Sequence, residues 1–156
     1  MRLLVLLLLA SASPAQRPSD IVKWSATAPA VMTSPGGTVK VSLTAKIERG
    51  WKLYALTQPE GGPQKLAIEV ASGAPFTVSQ KQIAGPAPKT LADENFGMKT
   101  QYYEKAATFT VPVTVSKTAA TGALRIPLEV TFQACGESLC LRPFTEKLEV
   151  GLSVGK

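Results

Sequence analysis

The sequence has 156 residues, of which 45% are hydrophobic, 6% aromatic and 18% charged, with a formal net charge of +6. It contains no histidine and only two cysteines, which excludes a Ser-His-Asp triad, a Cys-His pair, an imidazole metal site and a four-thiolate zinc site. Because its basic residues are scattered and its aromatic residues few, we expect a solvated basic surface and no binding of nucleic acid.

The N-terminal segment has the organisation of a secretory signal peptide. Met1-Arg2 supplies a positive charge, residues 3–10 form an apolar run of eight residues, and Ala10-Ser11-Ala12 provides the small-x-small pattern of a cleavage site. We expect cleavage after Ala12 or Ala15, which assigns residues 1–15 to the signal. The run is much shorter than the roughly 20 residues of a membrane-spanning helix. We therefore expect a periplasmic mature chain that does not insert into the membrane.

Residues 16–156 read as one domain in which apolar and polar residues alternate with the period of a β-strand. The alternation predicts strands over residues 21–25, 38–47, 65–70, 109–115, 124–134 and 144–152. Clusters of Gly, Pro and Ser separate these runs and mark turns. Pro112 and Pro127 fall inside two of the runs and predict edge strands or bulges there. The pattern predicts an all-β fold, an antiparallel β-sandwich of broadly immunoglobulin-like architecture.

The two cysteines, Cys135 and Cys140, flank a four-residue turn between two predicted strands. If these strands form a hairpin, opposed Cα atoms lie about 4.5–5.5 Å apart, a spacing that a disulfide tolerates. A disulfide that closes so short a loop stabilises a fold by only about 2 kcal/mol. Its place at a hairpin tip instead favours solvent access and thiol-disulfide exchange. We interpret the pair as a redox couple, and the alternative is an inert clip in a structural or binding module.

Five blocks of residues extend this interpretation to most of the chain. They are Gly50-Trp51-Lys52-Leu53-Tyr54, then Asp93-Glu94-Asn95-Phe96-Gly97 with Tyr102 or Tyr103 after it, Phe109-Thr110-Val111-Pro112-Val113, Val130-Thr131-Phe132-Gln133-Ala134-Cys135, and Cys140-Leu141-Arg142-Pro143. In order and spacing they resemble the N-terminal periplasmic domain of the transmembrane thiol-disulfide reductase DsbD. The resemblance implies an immunoglobulin-like sandwich with a small inserted subdomain that carries the cysteines.

The resemblance also implies an activity and its partners. Members of this family are thiol-disulfide oxidoreductases, which take electrons from a thioredoxin-like domain. They pass them to oxidised periplasmic proteins, such as disulfide isomerases and cytochrome c maturation factors. The sequence ends at Lys156, without the transmembrane segment and thioredoxin-like domain of full-length DsbD. If the chain is complete, its electron donor is expected to be a separate protein.

Site residues carry over from the same resemblance. Cys140 is expected to form mixed disulfides with partners and Cys135 to resolve them. Phe96 matches the aromatic tip of a loop that caps the disulfide, and the alternative is ordinary packing. The other candidates to line the site are the tyrosines of the matching blocks, Tyr54, Tyr102 and Tyr103, for which simple packing is also the alternative. Because Tyr102 and Tyr103 are adjacent, we expect one to point inward and the other outward. The four-residue loop between the cysteines is one residue shorter than in the best-known members.

Thiol-disulfide exchange requires no cofactor and no metal. Glu137, between the cysteines, is expected to raise the pKa of a thiol, and Arg142 to lower it. Together they suggest a thiol that stays unreactive until a partner docks. Asp93 and Glu94 are expected to lie in a solvated loop tip, and the alternative is that they act as an acid–base pair.

Two methionines leave a different function open. Met32 and Met98, with the cysteines, could supply the soft sulfur ligands that Cu(I) prefers. The sequence lacks the clustered methionines typical of such sites, so we favour the redox interpretation.

Overall fold

A computed structural model describes residues 16–155, and the predicted signal peptide, residues 1–15, lies outside them. The described chain begins with one helical turn, α1 (Pro18–Ile21), and then runs almost entirely in strands. Between residues 22 and 154 these are β1 (Val22–Thr27), β2 (Met32–Thr33), β3 (Thr38–Ile47), β4 (Lys52–Tyr54), β5 (Ala67–Val70), β6 (Phe76–Val78), β7 (Lys89–Asp93), β8 (Met98–Tyr103), β9 (Ala106–Val115), β10 (Gly122–Phe132), β11 (Ala134–Cys135) and β12 (Phe144–Val154). A 3₁₀ turn, Gln80–Gln82, follows β6.

Two of the sheets form a sandwich, as the alternation predicts. The first has the strand order β1-β3-β9-β6 and the second the order β2-β12-β10-β5. Neighbouring strands are antiparallel, except that β2 runs parallel to the end of β12. Along β3 every second residue is buried, and the opposite face is solvated. The predicted all-β fold, an immunoglobulin-like antiparallel sandwich, is confirmed. Within the described residues, no helix is long and apolar enough to cross a membrane.

The two strand prolines, Pro112 and Pro127, lie in central strands, so the prediction of edge strands or bulges there is wrong. β9 lies between β3 and β6, and β10 lies between β12 and β5. At Pro112 the third strand has ended, because β6 pairs only with residues 113–115, so the missing N–H would face a side without a ladder. At Pro127 the ladder of β5 is at its last rung. The amide of Ala71, directly after β5, donates a hydrogen bond of 2.9 Å to the Pro127 carbonyl, and the proline leaves only the return bond unmade.

A third, smaller sheet stands at one end of the sandwich and has the strand order β11-β4-β8-β7. The long hairpin of β10 and β12 reaches from the sandwich to this small sheet. The ladder of the hairpin ends at the pair Phe132 and Phe144. Beyond that point the first arm continues as β11 and pairs with β4. The hairpin therefore starts in the sandwich and carries its tip, with both cysteines, into the small sheet. This arrangement is the inserted subdomain that the resemblance implies.

Candidate functional site

A disulfide joins Cys135 and Cys140, whose Cα atoms lie 4.1 Å apart across an antiparallel bridge. The amide of Gly136 donates a hydrogen bond of 2.8 Å to the Leu139 carbonyl, which closes the turn between the cysteines. The structure thus brings together the two cysteines that the sequence singled out. The expectation of an accessible pair holds for one residue only. Cys140 is partly exposed, whereas Cys135 has 0% of its surface exposed.

Alternation along the short strands decides which side chains face the disulfide. In the small sheet, Leu53 is opposed to Ala134 on one side and to Tyr103 on the other, and all three are buried in the core of the sandwich. The next positions along each strand point the other way. Tyr54 is opposed to Tyr102, and Lys52 to Cys135, and these four residues form the face that carries the disulfide.

Three buried residues of that face, Tyr54, Tyr102 and Cys135, form a cluster of their own. Phe96 and Cys140, both partly exposed, pack against it. The Phe96 ring meets Tyr54 edge to face, with the ring centres 5.6 Å apart. The structure therefore gathers Tyr54, Tyr102 and Phe96 around the two cysteines. Tyr103 is not part of this group, because it turns inward and packs against Phe109, with the ring centres 5.4 Å apart.

Asp93 ends β7 and fixes the base of the loop that carries Phe96. Its backbone carbonyl accepts hydrogen bonds from the amides of Phe96, at 3.2 Å, and Gly97, at 2.8 Å. Its Oδ2 accepts from the Tyr54 hydroxyl at 2.7 Å and from Oγ1 of Thr100 at 3.0 Å. Only 2% of the Asp93 surface is exposed, so the expectation of a solvated loop tip is wrong for this residue. The expectation is correct for its exposed neighbour Glu94.

The buried hydrogen bonds around Asp93 shift two pKa values apart. Burial by itself would raise the pKa of Asp93. The hydrogen bonds that its carboxylate accepts outweigh burial, with a smaller contribution from the charge of Lys52, and they hold the pKa below its ordinary value. Burial raises the pKa of Tyr54, and the hydrogen bond to the Asp93 carboxylate raises it further. At neutral pH this is an ionised carboxylate held by a neutral phenol.

Sequence reasoning missed Lys52, which is the cation of this face. Lys52 is opposed to Cys135 in the ladder, and its Nζ lies 4.9 Å from the centre of the Tyr102 ring. An ammonium over an aromatic face is attracted to it and held in place. The available signal was the spacing, because residues two apart in a strand share a face and Lys52 precedes Tyr54 by two. Glu137 and Arg142, whose charges the sequence did consider, are both exposed.

The structure does not bring the two methionines of the copper alternative together. Met32 lies on β2 at the edge of the sandwich, and Met98 lies on β8 in the small sheet. Among the residues from 16 to 155 there is also no group of three or more Cys, Asp and Glu side chains that could hold a metal ion.

Comparisons with known proteins agree with this geometry. The family described as "Thiol:disulfide interchange protein DsbD, N-terminal" matches residues 21–152. The fold is similar to the reduced N-terminal domain of DsbD from Neisseria meningitidis, with a TM-score of 0.58 and 16% identity over 89% of this chain and 91% of that one. It is also similar to the N-terminal periplasmic domain of ScsB from Proteus mirabilis, with a TM-score of 0.55 and 23% identity over 88% of this chain and 49% of that one. A search of curated proteins gave no match.

Proposed function

Because the chain belongs to the family of the DsbD N-terminal domain, we propose that it is a periplasmic thiol-disulfide exchange domain. It relays electrons from a thioredoxin-like donor to oxidised periplasmic proteins through Cys135 and Cys140. The observation that supports this best is the unequal exposure of the disulfide. Cys140 reaches the surface, and Cys135 is buried behind it among aromatic side chains. An incoming thiolate therefore has access to one sulfur.

The reduction of the domain proceeds in two displacements. A donor thiolate attacks Sγ of Cys140 and forms a mixed disulfide, while the original S–S bond breaks and its electron pair leaves on Sγ of Cys135, which takes up a proton. The second donor thiol then loses its proton and attacks the donor's own sulfur in the mixed disulfide. Cys140 leaves as a thiolate and the donor leaves with an internal disulfide. Two electrons have then passed to the domain.

The delivery of electrons is the reverse sequence with a new partner. The Cys140 thiolate attacks a disulfide of the acceptor, and one acceptor sulfur leaves as a thiolate. Cys135 loses its proton and attacks Cys140 in the mixed disulfide, which restores the internal disulfide, while the acceptor's second sulfur leaves as a thiolate and the acceptor has gained two electrons. Cys140 is therefore the residue that bonds to partners, and Cys135 is the resolving residue. The activity is that of a thiol-disulfide oxidoreductase, and the chemistry uses no cofactor.

Three aromatic residues shield the pair between partners. Phe96 caps the cluster from the loop that Asp93 anchors, and Tyr54 and Tyr102 form its buried wall. A partner that reaches Cys140 displaces Phe96, which is held mainly by its contact with the ring of Tyr54. We assign no role at the site to Tyr103, because it packs inside the sandwich.

Trapping tests the assignment directly. A Cys135→Ser variant retains the exposed cysteine but cannot resolve a mixed disulfide, so it should accumulate a covalent adduct with a thioredoxin-like protein whose own resolving cysteine is also replaced. The matched Cys140→Ser variant leaves only the buried cysteine and should give little adduct. Equal trapping by both variants would contradict the assignment of roles. The absence of any adduct, with no exchange between the wild-type disulfide and a reduced thioredoxin-like protein, would favour the inert clip.

The compartment follows from the same proposal. We propose that residues 1–15 direct export and are removed, so that the mature chain starts near residue 13 or 16. Mass spectrometry of the chain recovered from a periplasmic extract should give a mass that corresponds to cleavage after Ala12 or Ala15. Recovery of the uncleaved chain in the cytoplasm would contradict this.

A further inference from the structure

Gln133 lies where the cysteine hairpin changes its register. Two residues separate Phe132 from Cys135 on the first arm, whereas three separate Cys140 from Phe144 on the returning arm, although both pairs are directly opposed. The arms therefore differ by one residue in this stretch, and the regular ladder of the sandwich cannot continue through it. Some other set of contacts must hold Cys140 opposite Cys135.

The side-chain amide of Gln133 supplies such contacts. Its Nε2 donates a hydrogen bond of 3.2 Å to the carbonyl of Leu141, the residue after Cys140. Its Oε1 accepts a bond of 2.8 Å from the amide of Gln64, in the loop after β4. Its backbone carbonyl accepts a bond of 3.2 Å from the Tyr54 amide. Gln133 thus joins the returning arm to the rest of the small sheet.

We propose that Gln133 is a positioning residue for the thiol pair, which keeps Cys140 opposite Cys135 while the disulfide is open. This inference rests on the proposed exchange function. When the S–S bond breaks, the returning arm loses the covalent link between Cys140 and Cys135. The backbone bonds from Leu141 to the Ala134 carbonyl, 3.0 Å, and from Gly136 to the Leu139 carbonyl, 2.8 Å, remain, and so does the bond from Gln133 to the Leu141 carbonyl. Together they hold the returning arm in register.

The consequence is a higher effective concentration of one thiol at the other. The oxidised pair is held by its covalent bond with or without Gln133, but the reduced pair is not. Loss of the Gln133 side-chain amide therefore increases the conformational freedom of the returning arm mainly in the reduced state. This disfavours closure of the disulfide. A neutral hydrogen bond contributes about 0.5–1.5 kcal/mol, so the closure equilibrium should fall by about two- to thirteenfold. This raises the reduction potential by about 11–33 mV, since a tenfold change corresponds to 29.6 mV.

Two variants separate positioning from general stability. Gln133→Glu retains an oxygen for the Gln64 amide but loses the donor to Leu141 and places a carboxylate against that carbonyl. Gln133→Met loses both side-chain bonds at similar size. Gln80→Met is the matched control, because Gln80 also bonds through its amide to the backbone of a strand, at Ile68, but does so in the sandwich.

The test is equilibration of each protein in glutathione redox buffers, followed by alkylation and mass analysis of the open pair. Both Gln133 variants should show this two- to thirteenfold loss of closure, with slower release of glutathione from Cys140, and Gln80→Met should match the wild type. Gln133 variants that fold and match the wild type would overturn the inference.

A measurement on the wild type covers the case in which neither variant folds. In the reduced wild-type protein the amides of Gln64 and Leu141 should remain protected from hydrogen exchange, and free exchange at both would also overturn the inference. Failure of the proposed function is distinguishable from failure of this inference. In the first case the wild-type pair does not exchange with a thioredoxin-like reductant. In the second case it exchanges, and Gln133 does not affect the equilibrium.

Discussion

Tyr54 donates a buried hydrogen bond of 2.7 Å to the carboxylate of Asp93, across 39 residues of sequence. Tyr54 belongs to the strand next to the buried cysteine, and Asp93 stands at the base of the loop that carries Phe96. The bond therefore couples the wall of the redox site to its cap. It also explains how an ionised carboxylate is tolerated in a buried position, because three donors satisfy it.

The variant Tyr54→Phe should be less stable than the wild type, because it leaves the buried carboxylate with one donor fewer. Hydrogen bonds to charged groups contribute about 1.5–3 kcal/mol, and we expect a loss of that size in the free energy of unfolding at pH 7. Urea unfolding of the oxidised proteins measures it. The exposed neighbour provides the control, since Glu94→Gln should leave the stability at pH 7 unchanged. A Tyr54→Phe variant as stable as the wild type would contradict the structural role of this bond.

The same carboxylate predicts the pH dependence of stability. The pKa of Asp93 in the folded state lies below its ordinary value, which is about 3.9 in an unfolded chain. Folding therefore favours the ionised form, and this contribution is fully present above about pH 4. It is lost as the pH falls through the lower pKa of the folded state. Asp93→Asn should remove this part of the acid dependence in unfolding curves between pH 7 and pH 2, and an unchanged slope would contradict it.

The alternation of apolar residues predicted the long strands of the sandwich well but missed its short strands β2 and β6. The predicted range 38–47 is β3 as observed, and the ranges 109–115 and 144–152 lie within the longer strands β9 and β12. These strands have one buried and one solvated face, so the sequence must alternate along them. The prediction for the two prolines was wrong because a local pattern does not show where the pairing of β6 and β5 ends.

The strands of the small sheet show no such alternation of apolar and polar residues. Its strands are two to six residues long, and their site-facing positions hold Lys52, Tyr54, Thr100 and Tyr102, which are polar or amphipathic although mostly buried. Short polar strands give no alternation to detect, and this sheet was therefore expected from the family resemblance alone. The alternation rule still separated Tyr102 from Tyr103, as one facing each way. It could not tell which of the two faced the disulfide.

Phe96→Ala should expose the disulfide pair. The edge-to-face contact of Phe96 with Tyr54 is of a kind that contributes about 0.5–1.5 kcal/mol beyond area burial. Removal of the ring should therefore speed alkylation of the reduced pair by a small reagent about two- to tenfold. Phe144→Ala is a suitable control, because that partly exposed aromatic packs against Phe132 of the sandwich instead. Unchanged rates in Phe96→Ala would count against the cap.

Lys52→Met should raise the pKa of the Cys135 thiol in the reduced protein. The ammonium lies on the face of Cys135, and a nearby cation favours the thiolate over the thiol. The pH dependence of alkylation in a variant without Cys140 measures this pKa. We expect only a small rise, because Lys52 is partly solvated and its charge is therefore screened.

Two controls accompany the measurement on Lys52. Lys52→Arg should leave the pKa of the Cys135 thiol as in the wild type, because it preserves the charge and the contact with the Tyr102 ring. Lys99→Met removes an exposed charge from the same sheet, at a position opposed to Ala92 on the other face, and should have little effect. An equal rise in Lys52→Met and Lys99→Met would show that only net charge matters. Titration of both thiols in the reduced wild-type protein tests whether exposed Glu137 and Arg142 leave them unreactive before docking, and two pKa values well below that of free cysteine would contradict that hypothesis.

Reduction of the disulfide should cost the domain little stability. The bond closes a loop with a sequence separation of five, for which the loss of chain entropy corresponds to about 2 kcal/mol. The core lies elsewhere, between sheets whose strands β10 and β12 pair over their full length without the cysteines. Urea unfolding of the wild type with and without dithiothreitol, at equal protein concentration, compares the two states without any substitution. A cooperative transition should persist in the reduced protein. If reduction instead unfolds the sandwich, the disulfide is structural. A redox cycle opens the disulfide at every turnover, so in that case the cycle would unfold the domain.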